Sequence, residues 1–174
     1  SAEMKLLFKG HDARYAVEQS LLAFFPQERP VYDPAAREEN QATVTLSQGK
    51  KYITAVTTLC YDGCTKRGIS RVLWDPSADA YAAERLRQRA VKLSFFKAAR
   101  QVTGVTPSWG ALTGIRPAKL AAGYLEQGMT PRQVDSLLRD TYCVSRTRRE
   151  LCIEAAQAGL KAKSELNPQD ISLY

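Results

Sequence analysis

The chain has 174 residues, of which 44% are hydrophobic, so it is long enough to bury a core and too apolar for a disordered chain. Its formal net charge of +7 favours anionic ligands or an acidic partner surface. No apolar run reaches the roughly 18–20 residues of a membrane span and no secretory signal opens the sequence, so we expect a cytoplasmic protein without membrane partners.

Residues 1–76 are predicted to form a small α+β unit. Alternating apolar and polar residues, many of them β-branched, predict four strands. The predicted strands are 4–9, 42–47, 51–61 and 68–74. Apolar residues at helical spacing predict a helix over 12–25 with Asp12 as its N-cap, and three prolines make 26–41 a loop. This order predicts a small, mostly antiparallel β-α-β-β-β sheet with the helix on one face.

A long basic helix is predicted in residues 77–104. Its apolar residues fall on two separate arcs of the helical wheel, so we expect one side to pack on the sheet and the other on later helices. That arrangement would make it a bridge between the two halves of the chain. Residues 105–120 form a linker motif around Trp109. A three-helix subdomain is predicted within 117–165, and the apolar end at 170–174 is predicted to begin another domain of a longer protein.

The excess of positive charge lies in one window of the sequence. From Arg85 to Lys119 there are eight basic residues and no acidic ones, which leaves 17 of the 25 basic residues to face 18 acidic ones outside it. Four of the basic residues form a narrow stripe between the apolar arcs of the long helix. These four are Arg85, Arg89, Lys92 and Arg100. We expect the stripe to attract phosphates, carboxylates or an acidic protein surface.

A second anion site is predicted where the next helix begins. Gly110 and Gly114 allow the backbone to turn, and Pro117 suits the first position of a helix. The N–H groups of that helix start, with Arg116 and Lys119 beside them, would bind a carboxylate or a phosphate.

Trp109 and Thr113 lie in the same segment and are further candidates for contact with an anionic ligand. The alternative is structural. In that interpretation the glycines shape a linker, Trp109 fills the core, and Arg116 pairs with a carboxylate of the sheet. The sequence does not decide between the two.

The sequence contains no motif that indicates a catalytic or a metal-binding site. His11 is the one histidine and has no nucleophile with which it would form a dyad. Cys60 and Cys64 have a spacing that zinc sites do not use, and with Cys143 and Cys152 they are predicted to be free thiols. We therefore predict no catalytic residue, no metal ligand and no cofactor within these residues.

Two other classes of function are alternatives. The pattern of residues 130–158 is typical of a helix-turn-helix. Arg148 and Arg149, at the start of the second helix, would suit binding in a nucleic-acid groove. Against this, Tyr142 and Cys143 lie in the turn, where a small residue is usual. A structural or dimerising domain is the remaining alternative.

Residues 109–120, which read Trp-Gly-Ala-Leu-Thr-Gly-Ile-Arg-Pro-Ala-Lys-Leu, resemble a segment of a known family. A W-G-x-L-T-G-[IV]-R-P-x-K segment is typical of HemZ-type, oxygen-independent coproporphyrinogen III oxidase or dehydrogenase-like proteins, which are radical S-adenosylmethionine enzymes. Two further matches follow in the family's order, Tyr142-Cys-Val-Ser145 and Ser172-Leu-Tyr174. Ser108 departs from the family pattern, because the family joins proline directly to tryptophan.

The resemblance implies that this chain is the non-catalytic, N-terminal accessory domain of an oxidoreductase of haem biosynthesis, which decarboxylates propionates of coproporphyrinogen III. It also implies a C-terminal radical S-adenosylmethionine barrel that holds a 4Fe-4S cluster and S-adenosylmethionine. The cysteine motif for that cluster is absent from residues 1–174. The implied partners are this barrel and, at the basic residues, the anionic porphyrinogen, while nucleic acid is the less favoured partner.

Overall fold

The computed structural model describes residues 3–112 and 115–166. The chain divides into two compact units, Ser1–Pro107 and Ser108–Tyr174. The predicted start of a further domain at 170–174 lies outside the described residues. The long basic helix belongs to the first unit, and its role as a bridge stays a prediction.

The first unit is a five-stranded mixed sheet with two helices. Its strands are β1 (Glu3–Lys9), β2 (Arg29–Val31), β3 (Gln41–Gln48), β4 (Tyr52–Tyr61) and β5 (Cys64–Leu73). Its helices are α1 (Arg14–Phe24) and α2 (Ala80–Thr103). The strands lie in the order β2-β1-β3-β4-β5. The α+β class predicted from the sequence is confirmed.

The structure adds two details to the predicted, mostly antiparallel sheet. Strand β1 is parallel to both of its neighbours, and only the β3, β4 and β5 pairings are antiparallel, so the sheet is mixed. The predicted loop also contains β2, a strand of three residues with Pro30 at its centre. Because proline has no N–H to donate, such a strand is confined to a sheet edge, where β2 lies.

The core lies between the sheet and both helices, which pack on the same face. Alternate strand residues such as Leu6 and Val44 are fully buried and meet Val17 and Leu21 of α1 and Phe95 of α2. This alternation is the period-two pattern on which the strand predictions rested. The opposite face of the sheet carries none of these core residues.

The helix ends differ in how they are capped. Helix α1 begins after Ala13, and the predicted cap Asp12 instead forms an ion pair with Arg14, 3.0 Å away. Asp79 does cap α2, because its carboxylate accepts the N–H of Ala82 at 2.7 Å. The Asp12 cap is therefore a wrong prediction, because Ala13 occupies the N-cap position and Asp12 lies one residue before it.

The second unit contains the three predicted helices and, before them, a short 3-10 turn. They are the turn Gly110–Leu112 and helices α3 (Pro117–Glu126), α4 (Pro131–Asp140) and α5 (Arg146–Ser164). The predicted capping box of α4 is confirmed: Gln133 N–H donates to Thr130 Oγ1 at 3.2 Å, and Thr130 N–H donates to Gln133 Oε1 at 2.9 Å. Gly128, after α3, has φ +97, the left-handed conformation expected at a helix end.

Candidate functional site

Arg116 and Lys119 lie at the start of α3. Arg116 is the N-cap residue, its side chain makes no capping hydrogen bond, and Pro117 follows at the first helical position. Both basic side chains are exposed. Within residues 3–112 and 115–166, neither of them takes part in an ion pair. The structural alternative, in which Arg116 is paired with a carboxylate, therefore finds no support among these residues.

The electrostatics at the start of α3 favour an anion. The first turn of the helix contains no acidic residue. A helix start carries a partial positive charge from its free N–H groups, and Arg116 and Lys119 add two full charges to it. These charges repel one another in the absence of a counter-ion, so a carboxylate at this position would be stabilised.

Trp109 precedes α3 and lies on the turn between α4 and α5. Two backbone hydrogen bonds hold its segment there: Ser145 N–H donates to Ser108 O at 2.9 Å, and Ala111 N–H donates to Tyr142 O at 2.8 Å. These bonds tie the linker motif to the second unit.

Gly110 is what lets this segment approach the turn so closely. Its φ is +55, and a Cβ atom at this position would lie 2.0 Å from the carbonyl oxygen of Tyr142. The neighbouring ring of Trp109 is half-buried, and the guanidinium carbon of Arg148 lies 5.4 Å from the ring centroid. The ring thus contacts a cation at the surface of the unit and does not fill its core. Thr113 lies outside the described residues.

The predicted basic stripe of α2 is not a uniform surface. Arg85 is exposed and lies over the ring of Tyr81, while Arg89 is half-buried. Arg100 is also half-buried, with its guanidinium carbon 5.7 Å from the centroid of the Phe96 ring. The stripe and the start of α3 belong to different units, and Lys92 differs from the other stripe residues.

Lys92 is buried beneath α1, with 5% of the residue exposed. Its Nζ donates a hydrogen bond to Gln19 Oε1 at 3.1 Å. Burial lowers the pKa of Lys92 to about 8, because the charged ammonium loses its hydration. Lys92 is therefore placed to support the contact between the two helices of the first unit and cannot meet a large external anion without rearrangement.

The helix-turn-helix alternative can be compared with the start of α5. Arg149 Nε lies 2.9 Å from Asp135 Oδ1, and Arg149 Nη1 donates to Val144 O at 2.8 Å. Arg146 pairs with Glu150, and the third arginine there lies on the ring of Trp109. A groove-reading helix presents such side chains outward. These arginines instead have partners within the unit, and nucleic-acid binding by this half stays a prediction.

Cys60, Cys64 and Cys152 are free thiols, as expected. Burial raises the pKa of the Cys152 thiol, which makes it less reactive. The described part of the chain contains no group of three or more histidine, cysteine, aspartate or glutamate side chains placed to hold a metal ion.

Two polar pairs at the margins of the core were not predicted. The Tyr32 hydroxyl donates a hydrogen bond to the Glu18 carboxylate, and burial together with this carboxylate raises the pKa of Tyr32. Tyr61 donates to Glu28 Oε1 at 3.1 Å. Glu28 is 8% exposed, and its Oε2 has no hydrogen-bond partner in the described structure. The residues of each pair are far apart in the sequence, 14 and 33 positions, so sequence periodicity does not bring them together.

Comparison with known proteins gives a similarity over part of the chain. No family model matches the sequence. The oxygen-independent coproporphyrinogen-III oxidase-like protein HemZ of Bacillus subtilis is 35% identical over 74 residues, which are 41% of this chain and 15% of HemZ. The chain thus spans a small share of that relative's length. None of the described helices is long and apolar enough to cross a bilayer.

Proposed function

We propose that this chain is a non-catalytic accessory domain of a longer, HemZ-like protein, and that it helps to hold an anionic tetrapyrrole. The observation that carries the proposal is the 35% identity to HemZ, whose description is an oxygen-independent coproporphyrinogen-III oxidase-like protein. The motif at residues 109–120 supports the same relationship. The activity of the longer protein would be the oxidative decarboxylation of porphyrinogen propionates, and we expect it in the cytoplasm.

The chemistry would take place outside residues 1–174. A 4Fe-4S cluster and S-adenosylmethionine would supply radical chemistry in the proposed barrel. His11 supports this division, because both of its ring nitrogens already take part in hydrogen bonds, one with Ala13 N–H and one with Val44 O. It is therefore not free to act as a general base.

The start of α3 is the part of this chain that we propose meets the substrate. Coproporphyrinogen has four propionate groups, and one of them would lie at the free N–H groups between Arg116 and Lys119. Helix starts bind carboxylates through these N–H groups, and two unpaired cations add to the attraction. Trp109 precedes this corner in the same unit and offers an aromatic surface.

Substrate titration of the longer protein tests this role. Arg116→Ala/Lys119→Ala removes both cations, and we expect affinity for coproporphyrinogen III to fall about tenfold, as for the loss of two solvent-exposed charge contacts. The matched control is Arg132→Ala/Lys161→Ala, which removes two exposed cations elsewhere in the same unit. This control should leave affinity unchanged.

The outcome separates substrate binding from a structural role. Equal affinity in the Arg116→Ala/Lys119→Ala protein and the wild type, with circular dichroism unchanged, would exclude the substrate role. A change in sedimentation behaviour of that variant would instead support the dimerising alternative. Retained affinity with a lowered melting temperature would support a structural role.

A further inference from the structure

The sheet of the first unit has a second face that neither helix covers. It consists of the odd-numbered residues of β1, β2, β3 and β5 and the even-numbered residues of β4, and we call it the open face. The pairing register brings these residues into rows across the sheet, such as Lys9, Thr45, Val56 and Ile69. No residue of the open face is buried.

The strand residues of the open face include five basic side chains and one acidic one. Glu38 and Glu39, from the loop before β3, line a pocket with Lys5 and Gln41 at one end of the face. Of its strand residues, all of them described, Glu3 is the one with a carboxylate, and it lies 3.9 Å from Arg29 at one corner. Lys9, Arg67 and Arg71 are exposed near its margins. Lys9 lies on β1 and the two arginines on β5, so cations stand on both sides of the central strands.

Apolar side chains lie between and beside these cations. Ile69 is 48% exposed and Leu73 is 65% exposed. Leu7 and Val56 are half-buried on the same face. An exposed sheet face normally carries polar residues, so these aliphatic groups offer a surface on which the apolar side of a partner can pack.

We propose that the open face binds an acidic amphipathic helix of a partner protein. The apolar stripe of such a helix would cover Leu7, Val56 and Ile69. Its carboxylates would reach Lys9 near one end of the helix and, near the other end, Arg67 and Arg71, which lie two residues before and after Ile69 on β5. An acidic amphipathic helix fits this surface because its apolar stripe matches the aliphatic centre and its carboxylates match the cationic margins.

The dimensions of the face agree with this partner. Neighbouring strands lie about 4.8 Å apart, so the row from Lys9 to Ile69 spans roughly 14 Å. A helix rises 1.5 Å per residue, and about ten residues, or nearly three turns, cover this distance. A helix of ordinary length would therefore extend across β1, β3, β4 and β5.

Single-stranded nucleic acid is the other anionic partner that a basic sheet face could attract, and the surface suits it less. Sheet platforms bind bases by stacking them on aromatic side chains. Tyr52 is the one aromatic residue among the described strand residues of the open face. The guanidinium carbon of Arg71 already lies 4.2 Å from the centroid of its ring. The aliphatic residues offer no stacking surface for a base.

Fluorescence anisotropy on the whole 174-residue chain tests the proposal. The probe is a labelled synthetic peptide of about 18 residues with leucines along one helical stripe and glutamates on both sides. We expect it to bind, and we expect the same peptide with lysine in place of glutamate not to bind. Amide chemical shifts should change at Val56 and Ile69 when the acidic peptide is added.

Two charge-reversal variants provide the matched comparison. Arg67→Glu/Arg71→Glu should weaken binding of the acidic peptide at least about tenfold. Lys66→Glu/Arg85→Glu changes the net charge equally but alters exposed residues off the open face, and it should leave binding unchanged. Ile69→Ser keeps the charge and tests the apolar contact; we expect weaker binding.

Three results would overturn the proposal. The first is an acidic peptide that does not bind the wild-type chain. The second is equal weakening by both charge-reversal variants, because that would show a general effect of net charge. The third is a deoxythymidine oligonucleotide that binds more tightly than the peptide and changes the amide chemical shifts of the same face. That result would assign the face to nucleic acid. The inference does not depend on the proposed function.

Discussion

The ammonium group of Lys92 is buried between α2 and α1, where it donates a hydrogen bond to Gln19 Oε1 at 3.1 Å. Burial lowers the pKa of Lys92 from its ordinary value of 10.5 to about 8. The unfolded chain therefore binds more protons than the folded chain between these two values. Stability rises with pH wherever the unfolded state binds more protons.

This linkage gives a pH prediction with a definite sign. The cost of burying the charged amine is fully present below pH 8 and disappears as the pH rises toward 10.5. The unfolding free energy of the wild type, relative to Lys92→Met, should increase by about 1–2 kcal/mol between pH 7 and pH 9.5. Urea denaturation at several pH values measures this difference. A difference that stays constant with pH would contradict a lowered pKa at Lys92.

Gly110→Ala should strongly destabilise the second unit. Its φ of +55 disfavours a side chain, and the added Cβ would lie 2.0 Å from Tyr142 O. We expect a loss of about 3 kcal/mol or more, since the clash with the backbone adds to the conformational cost. Urea denaturation followed by Trp109 fluorescence, with Trp74→Phe as background, reports on this unit.

Gly128→Ala is the control for the Gly110 prediction. Gly128 also has a positive φ, +97, but a Cβ there would have no atom within 4 Å. Gly128→Ala should lower the unfolding free energy by about 1 kcal/mol, which is the cost of the backbone conformation alone. Equal losses in the two variants would mean that the close approach at Gly110 is unimportant.

Arg149 joins α5 to α4 by an ion pair with Asp135 and a hydrogen bond to Val144 O. Its side chain is 13% exposed. Arg149→Ala should cost about 2–3 kcal/mol, because a half-buried carboxylate and a buried carbonyl both lose their donor. Arg146→Ala breaks an exposed pair and should cost less than about 0.5 kcal/mol. Thermal unfolding of the two variants compares them, and similar melting temperatures would contradict this assignment.

His11 should carry its proton on Nε2. Ala13 N–H donates to Nδ1 at 3.0 Å, so Nδ1 is an acceptor, and Nε2 lies 2.9 Å from Val44 O and must donate. Long-range ¹H–¹⁵N correlation spectra at pH 7.5 would show this, and His11 is the one histidine of the chain, so the assignment is unambiguous. A proton on Nδ1 would contradict both hydrogen bonds.

Local signals in the sequence were sufficient to predict that each helix exists. The Thr130 capping box and Pro117 fixed two helix starts because their effects depend on residues within one turn. The α+β class followed from alternating strand residues for the same reason. Elements of this kind can be predicted from a single sequence.

Long-range relationships could not be predicted in this way. Strand β2 was not predicted because three residues around Pro30 are too few to show an alternating pattern. The strand exists because it pairs with β1, which is distant in the sequence. The helical wheel placed Lys92 between two apolar arcs, but only the position of α1 decides that this amine is buried. Similarly, the sequence suggested that Arg148 and Arg149 could face a nucleic-acid groove. In the structure Arg148 lies over the ring of Trp109 and Arg149 pairs with Asp135.

The outer edge of β5 is already occupied in part by side chains of α2. Lys97 Nζ donates to Ile69 O at 2.9 Å, and Gln101 Nε2 donates to Arg67 O at 2.8 Å. Exposed strand edges otherwise serve as templates for pairing with other chains. By holding these two carbonyl groups, α2 hinders the addition of a sixth strand at this edge and so protects the sheet from edge-to-edge aggregation.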